Sequence, residues 1–379
     1  MLTLRSSWKR VGLLAALSLM IFGCPHRSPV WSPDQKHILL LAGGSEESVD
    51  KPATAAWLID TTTQKAHKLP HPAAGIVYVG ATWIADRRYA VLTAEGTQDQ
   101  VKDGSEAVWT GEIGGSWRRL PAPVPSADRS PRRVLFAMPK TSALVYSSGT
   151  EAVVVVDSND GKELARFEPA ELVGPGPKDG VVITRADGET GGLEIVALGA
   201  DLKPLWTKKF SALTKEIAQL TGKKTSEIVI NDTSTTRRIA AGTPNEETAV
   251  TFVYTDVSWR EGIPSFVVRF DGRDGATRDV RSGRGMPGRP AFDGDLVWAV
   301  APKANGDAVE IRAFAKEAPG PVEDLAGLKR ASIHGFDLSP DSTRFAVSIA
   351  GPEPRLLLFP IEKGKVSGKP VAVGLKESP

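Results

Sequence analysis

Two stretches at opposite ends of the chain carry the same device. Near the start, VWSPDQKHILLLAG runs from Val30 to Gly43; near the end, FDLSPDSTRFAVSIAG runs from Phe336 to Gly351. Each holds Ser-Pro-Asp, then a basic residue, then an apolar run. Proline presets φ at the second turn position, and aspartate accepts bonds from nearby backbone N–H groups. Each copy therefore reads as a tight turn between two strands. One copy alone would be a generic turn. Two copies, built on Trp31, Ser32, Pro33 and Asp34 and on Ser339, Pro340 and Asp341, raise the question of what lies between them.

Weaker copies lie in phase. ATWIADRRYAVLTAEG (Ala81 to Gly96), LFAMPKTSALVYSSG (Leu135 to Gly149), VINDTSTTRRIAAGT (Val229 to Thr243) and PAFDGDLVWAVAP (Pro290 to Pro302) each set a polar turn before or between apolar stretches. The fourth copy, DGVVITRADGETGG (Asp179 to Gly192), is the poorest, with one clear strand. A second hairpin follows each first one, as in AVVVVDSNDGKELARF (Ala152 to Phe167) or SFVVRFDGRDGATRDV (Ser265 to Val280). Two hairpins make four antiparallel strands. Asp34 and Asp341 lie 307 residues apart, six steps of about 51, close to the length of a propeller blade with loop insertions. A single twisted four-stranded sheet cannot bury both faces, whereas a ring of such sheets buries them against one another. The expected fold is all-β: a β-propeller over residues 30–375 with seven four-stranded blades, six or eight being the alternatives. Trp31 and Phe336 are expected to pack between blades. Both termini fall at unit boundaries, so the ring is expected to close by face packing with little strand exchange. One stretch breaks the pattern. FSALTKEIAQLTGKK places Leu213, Ile217 and Leu220 at helical spacing, which predicts a short inserted helix with Ser211 as its N-cap.

WSPDQKHILLL and LSPDSTRFAVS resemble the repeat of TolB-like propellers, relatives of the WD-repeat propellers. The likeness is strong over these two stretches and loose over the rest. There is no room between Cys24 and Val30 for the separate N-terminal domain of that family. What the resemblance implies is the fold, not the family's partners.

The first residues have a different character. Arg5, Lys9 and Arg10 precede an apolar run from Val11 to Phe22, too short to span a bilayer comfortably, and IFGC follows. Ile21 and Gly23 fit a bacterial lipobox; Phe22 is bulky for it. Cys24 is the chain's one cysteine, so no intramolecular disulfide can form. These features predict a lipoprotein signal peptide over residues 1–23, lipidation at Cys24 and a short tether over residues 24–29. Pro25 follows instead of an aspartate, which favours the periplasmic face of the outer membrane over the inner membrane.

Chemistry is sparse. There is no GxSxG elbow, no phosphate-binding GxxxxGK[ST] and no HxH pair; His67 and His71 stand four apart in HKLPH, but the proline between them keeps them from sharing a helix face. No catalytic residue, metal or cofactor is expected. With 47 Lys+Arg against 45 Asp+Glu, the balance argues against a nucleic-acid partner. Arginines gather in two places: Arg129, Arg132 and Arg133, and then Arg278, Arg281, Arg284 and Arg289. They suit anionic partners, although solvated inter-blade loops are the plainer reading. The expected function is a lipid-anchored envelope scaffold that binds a protein. The alternative is an enzyme, or a sensor of small molecules or glycans, with its site at the channel mouth.

Overall fold

The computed structural model describes residues 29–43, 52–102, 104–121, 133–138, 141–148, 152–188, 192–228, 250–254, 265–283, 291–293, 296–302, 308–314, 319–329, 333–341, 343–349, 354–363 and 365–375. Their strands assemble in chain order into seven antiparallel sheets. The first holds β1 (Val30–Trp31), β2 (His37–Ala42), β3 (Ala55–Asp60) and β4 (Lys65–Lys68). The second holds β5 (Ile76–Ala85), β6 (Arg88–Glu95), β7 (Ala107–Glu112) and β8 (Arg118–Arg119). The third holds β9 (Arg133–Met138), β10 (Ala143–Ser148), β11 (Val153–Asp157) and β12 (Glu163–Phe167). The fourth holds β13 (Ala170–Pro175), β14 (Val181–Ala186), β15 (Leu193–Leu198) and β16 (Pro204–Lys209). Three strands are described in the fifth: β17 (Val250–Tyr254), β18 (Ser265–Phe270) and β19 (Thr277–Gly283). The sixth holds β20 (Ala291–Asp293), β21 (Leu296–Pro302), β22 (Ala308–Phe314) and β23 (Pro319–Lys329). The seventh holds β24 (Ile333–Leu338), β25 (Arg344–Ile349), β26 (Arg355–Glu362) and β28 (Val371–Gly374), with the short β27 (Lys365–Val366) on the tip of β26.

The middle strands of the sheets are buried on both faces, which explains why their sequences are apolar without alternation. Successive side chains of a strand point to opposite faces. In β2, Ile38 and Leu40 pack toward the seventh sheet, while Leu39 and Leu41 pack toward the second. In β11, Val154 and Val156 pack with the second sheet, and Val153 and Val155 with the fourth. Each such strand is buried on both sides, so HILLLA and VVVV are what a blade centre requires. Outer strands meet water: Lys65–Lys68 and Glu163–Phe167 hold no fully buried residue.

First strands of neighbouring sheets lie side by side: β1 and β5, β5 and β9, β9 and β13, β20 and β24, β24 and β1. They face the axis of the ring. Each runs from the end that carries the long connections, the loop end, to the end that carries the hairpin turns, the turn end.

The turns repeat a local chemistry. In DSNDGK and in DGRDGA, the first aspartate accepts from the N–H two residues on: Asn159 N to Asp157 Oδ1 at 2.6 Å, and Arg273 N to Asp271 Oδ1 at 2.9 Å. The glycine bends back, Gly161 at φ 77° and Gly275 at φ 70°, and its N–H reaches the carbonyl of that aspartate. A Cβ on Gly275 would also lie 2.7 Å from the Trp206 ring, which this turn covers. Trp206 donates to the Gly272 carbonyl at 3.1 Å.

Three sequence expectations need correction. The fourth first-hairpin is formed by β13 and β14, with its turn at Gly176–Gly180. Gly174 and Pro175 interrupt the apolar pattern of AELVGP and shift its register, which hides the strand. In the fifth sheet VTFVY, which none of the expected hairpins includes, is β17 paired with β18; the stretch expected there, Val229 to Thr243, lies outside the described residues. The inserted helix exists as α1 (Phe210–Thr221), but its N-cap is Lys209, without a side-chain cap. Leu213, Ile217 and Ala218 are its buried face, and Leu220 is 57% exposed. The helix packs against the outer strands of the fourth and fifth sheets, with Trp206 and Phe270. Lys208 joins it to the sheets, contacting Glu216 at 2.7 Å and Thr277 at 3.1 Å.

Candidate interaction surface

The turn end is where sequence and geometry converge. Both Ser-Pro-Asp turns sit there, and they fold alike. Ser32 donates to Asp34 at 2.7 Å and accepts from the His37 N–H at 3.0 Å. Ser339 donates to Asp341 at 2.7 Å and accepts from the Arg344 N–H at 2.9 Å. Each serine is fully buried, and each turn is closed by a backbone bond, Ser32 N to His37 O at 2.9 Å and Ser339 N to Arg344 O at 2.8 Å. The turns thus preserve their hydrogen bonds across three hundred residues of divergence.

They also meet each other. Among the described residues the first and seventh sheets share no strand; the outermost partner of β26 is β28, from the same unit. Their faces pack instead. Trp31, Ile38, Leu40, Trp57 and Ile59 from the first sheet interleave with Ala346, Leu356, Leu358 and Val373 from the seventh. Over this core the Arg344 guanidinium stacks on the Trp31 ring at 4.8 Å from its centroid. Its Nη2 donates to the Gln35 carbonyl at 3.0 Å. The Gln35 side-chain amide lies 2.7 Å from both Asp341 oxygens and donates to them with its nitrogen turned inward. Trp31 thus packs between the first and last sheets as expected. Phe336 stacks on Phe345 within the apolar face of its own sheet.

Burial alone would raise the Asp34 and Asp341 carboxyls. The serine hydroxyls, the backbone N–H groups of Lys36 and Thr343 and the nearby positive charges outweigh it. Both carboxyls are held below the usual carboxylate range. Asp60, on the neighbouring turn, is lowered first by the Thr63 N–H.

A second clasp joins the second and third sheets at the same end. Arg88 donates to Asn159 Oδ1 at 2.7 Å and to the Ser158 carbonyl, and Arg118 reaches the Ser158 and Asn159 carbonyls. Sequence reading passed over these arginines; the signal was their place beside hairpin turns. It did register Arg344, as the basic residue of the terminal device, but not its partner across the ring.

The arginines singled out from the sequence fall elsewhere. Arg133 opens β9, and Arg278 and Arg281 lie in β19, so these three are on strands and not in loops. The polar, loop-like composition of TRDVRSG belongs to a sheet edge. Arg129, Arg132, Arg284 and Arg289 lie outside the described residues, as does Cys24. At the loop end, Gln98 ties two connections together by donating to the Gly43 and Pro52 carbonyls at 3.0 and 3.2 Å. Trp109 donates to Thr93 and Trp117 to the Pro70 carbonyl. Among the described residues, no group of three or more His, Cys, Asp or Glu could hold a metal ion, and no helix is long and apolar enough to cross a membrane.

No family model matches the chain, and no curated protein matches its sequence. Solved structures match its fold. The C-terminal WD40 domain of Sif2 is 10% identical over 90% of this chain and 83% of that one, with a TM-score of 0.50. Kuenenia stuttgartiensis hydrazine synthase is 12% identical over 91% of this chain and 97% of that one, with a TM-score of 0.54. A chain of the mitotic checkpoint complex is 9% identical over 86% and 88%, with a TM-score of 0.54. At such identities the likeness concerns fold: the chain is a β-propeller similar to the WD-repeat propellers.

Proposed function

We propose that this protein is a bacterial lipoprotein, cleaved before Cys24, whose TolB-like propeller serves as a non-enzymatic protein-binding scaffold in the cell envelope, on the periplasmic face of the outer membrane. The observation that carries the binding reading is the closed, cross-braced turn end. Arg344 on Trp31, Gln35 on Asp341, and Arg88 and Arg118 on the third sheet hold neighbouring blades together. A surface braced in this way loses little freedom on association, which favours binding. Two of the similar folds, a WD40 domain and a member of the mitotic checkpoint complex, support the same reading. Arg129, Arg132, Arg133, Arg278, Arg281, Arg284 and Arg289 would add positive charge for an acidic partner. The membrane enters through the lipid on Cys24, as the signal-like residues 1–23 suggest.

A second reading is an enzyme or a small-molecule or glycan sensor at the channel mouth. The likeness to hydrazine synthase favours it. Crosslinking in intact cells, with mass spectrometry of the purified protein beside a Cys24→Ala variant, separates the two. One dominant protein partner that is lost with Cys24→Ala supports the scaffold. No reproducible protein partner rejects it and moves the search to the channel.

A further inference from the structure

We propose that the loop end of the propeller rests against the membrane and that the turn end faces away from it. This rests on the reading of Cys24 as the lipidated residue. β1 runs from Val30 through Trp31 directly into the Ser32–Lys36 turn, so the chain before Val30 approaches from the loop end. Val30 pairs with Leu39, and from there Leu40 to Gly43 carry the first sheet on toward that end. Four residues at strand rise cover about 13 Å. The six residues 24–29, fully extended, reach about 20 Å. A lipidated Cys24 therefore clears the loop end by only about 7 Å. The polar layer on each side of a bilayer is about 5–8 Å thick. The loop end must touch the headgroups.

The described surface there suits polar headgroups, not insertion. Glu95 and Lys102 form an exposed ion pair at 2.9 Å, beside exposed Asp99 and Gln100. β5 has ten residues, so the turn end stands about 30 Å further from the bilayer. The seam between the first and seventh sheets and the Arg88–Arg118 clasp then face soluble partners, out of reach of lipid.

The lipidated chain has no thiol besides Cys24, so one introduced cysteine can be labelled alone. Gln100→Cys marks the loop end and Thr62→Cys the turn end; Lys102→Cys and Lys65→Cys form a second pair. Each is labelled with a fluorophore, and the lipidated protein is bound to phosphatidylcholine–phosphatidylglycerol vesicles that carry a headgroup-attached quencher. Quenching several-fold stronger at the loop-end labels is the expected result. Equal quenching at both ends, or stronger quenching at the turn end, overturns the orientation while the lipid on Cys24, read from the intact mass, stands. An intact mass without lipid refutes the anchor and the orientation together.

Discussion

Removing Trp31 tests the claim that the ring is closed by packing and not by a shared strand. The residue is 5% exposed and lies between the first and seventh sheets. Among the described residues its indole nitrogen has no hydrogen-bond partner, so Trp31→Ala forfeits apolar burial and leaves a cavity without breaking a hydrogen bond of its own. Truncations of this kind cost about 3–5 kcal/mol. For the roughly 350 residues of the ring, at about 2.1 cal/mol/K per residue, that is about 4–7 °C in Tm. The cost should be local in its consequences. Hydrogen exchange should rise in β1–β3 and in β25, β26 and β28, and stay near its starting level in β10, β11 and β14. Part of the loss belongs to Arg344, whose stacking at 4.8 Å is worth about 0.5–2 kcal/mol. A double-mutant cycle of Trp31→Ala with Arg344→Ala should return coupling of that size. A cost below about 1 kcal/mol, additivity within about 0.3 kcal/mol, or exchange that rises evenly around the ring would refute the reasoning.

The turn serines should behave alike despite their separation: Ser32→Ala and Ser339→Ala each strand a backbone N–H and should cost about 1–3 kcal/mol in urea unfolding. Gly275→Ala forces a side chain to φ 70° and against the Trp206 ring, and should cost at least about 1 kcal/mol. Gly114→Ala, at φ 80° but in open space, should cost less in the same assay. Asp34 and Asp341 have folded pKa values below their usual 3.8. Their contribution is therefore present above that pH and lost as pH falls through and below it. A urea midpoint followed from pH 7 to pH 3 should hold on the neutral side and drop below about pH 4. Asp34→Asn with Asp341→Asn should lower the plateau and shrink the acid drop. An unchanged acid slope would refute that assignment.

How much of this was legible depended on which contacts the pattern encodes. Blade centres were readable because burial on both faces demands unbroken apolar runs, as in HILLLA and VVVV. Hairpin turns were readable because their geometry demands Asp and Gly at fixed places. β13 was not readable: Gly174 and Pro175 sit inside it at a register shift, and these residues ordinarily punctuate structure. The helix cap failed for a related reason. Ser211 has the right chemistry, but α1 continues directly from β16, so the residue before its first turn is Lys209. The arginines of β19 were read as loop because an outermost strand needs only partial alternation. The clasps were beyond sequence altogether, since nothing local to Arg344 names Gln35 or Trp31 as its partner.

The seam also explains why the device is best preserved in the first and last units. Elsewhere a first-hairpin turn need only reverse the chain, and Asp86-Arg87 or the turn at Gly176–Gly180 does so with other residues. At the closure the turns have a second duty. A ring closed by a shared strand is held by backbone hydrogen bonds that any sequence can supply. Among the described residues the first and seventh sheets pair no strands, so the cross-ring hydrogen bonds there come from particular side chains. Gln35 can reach Asp341 only because it sits at φ 62° just past Pro33 and Asp34. Arg344 reaches the Gln35 carbonyl only because Ser339 holds its N–H and so fixes the start of β25. Each turn positions a group for the other. Selection on closure would act on both copies at once, and a substitution in one should be partly masked when the other is already broken. Ser32→Ala in an Arg344→Ala background should therefore cost less than Ser32→Ala alone.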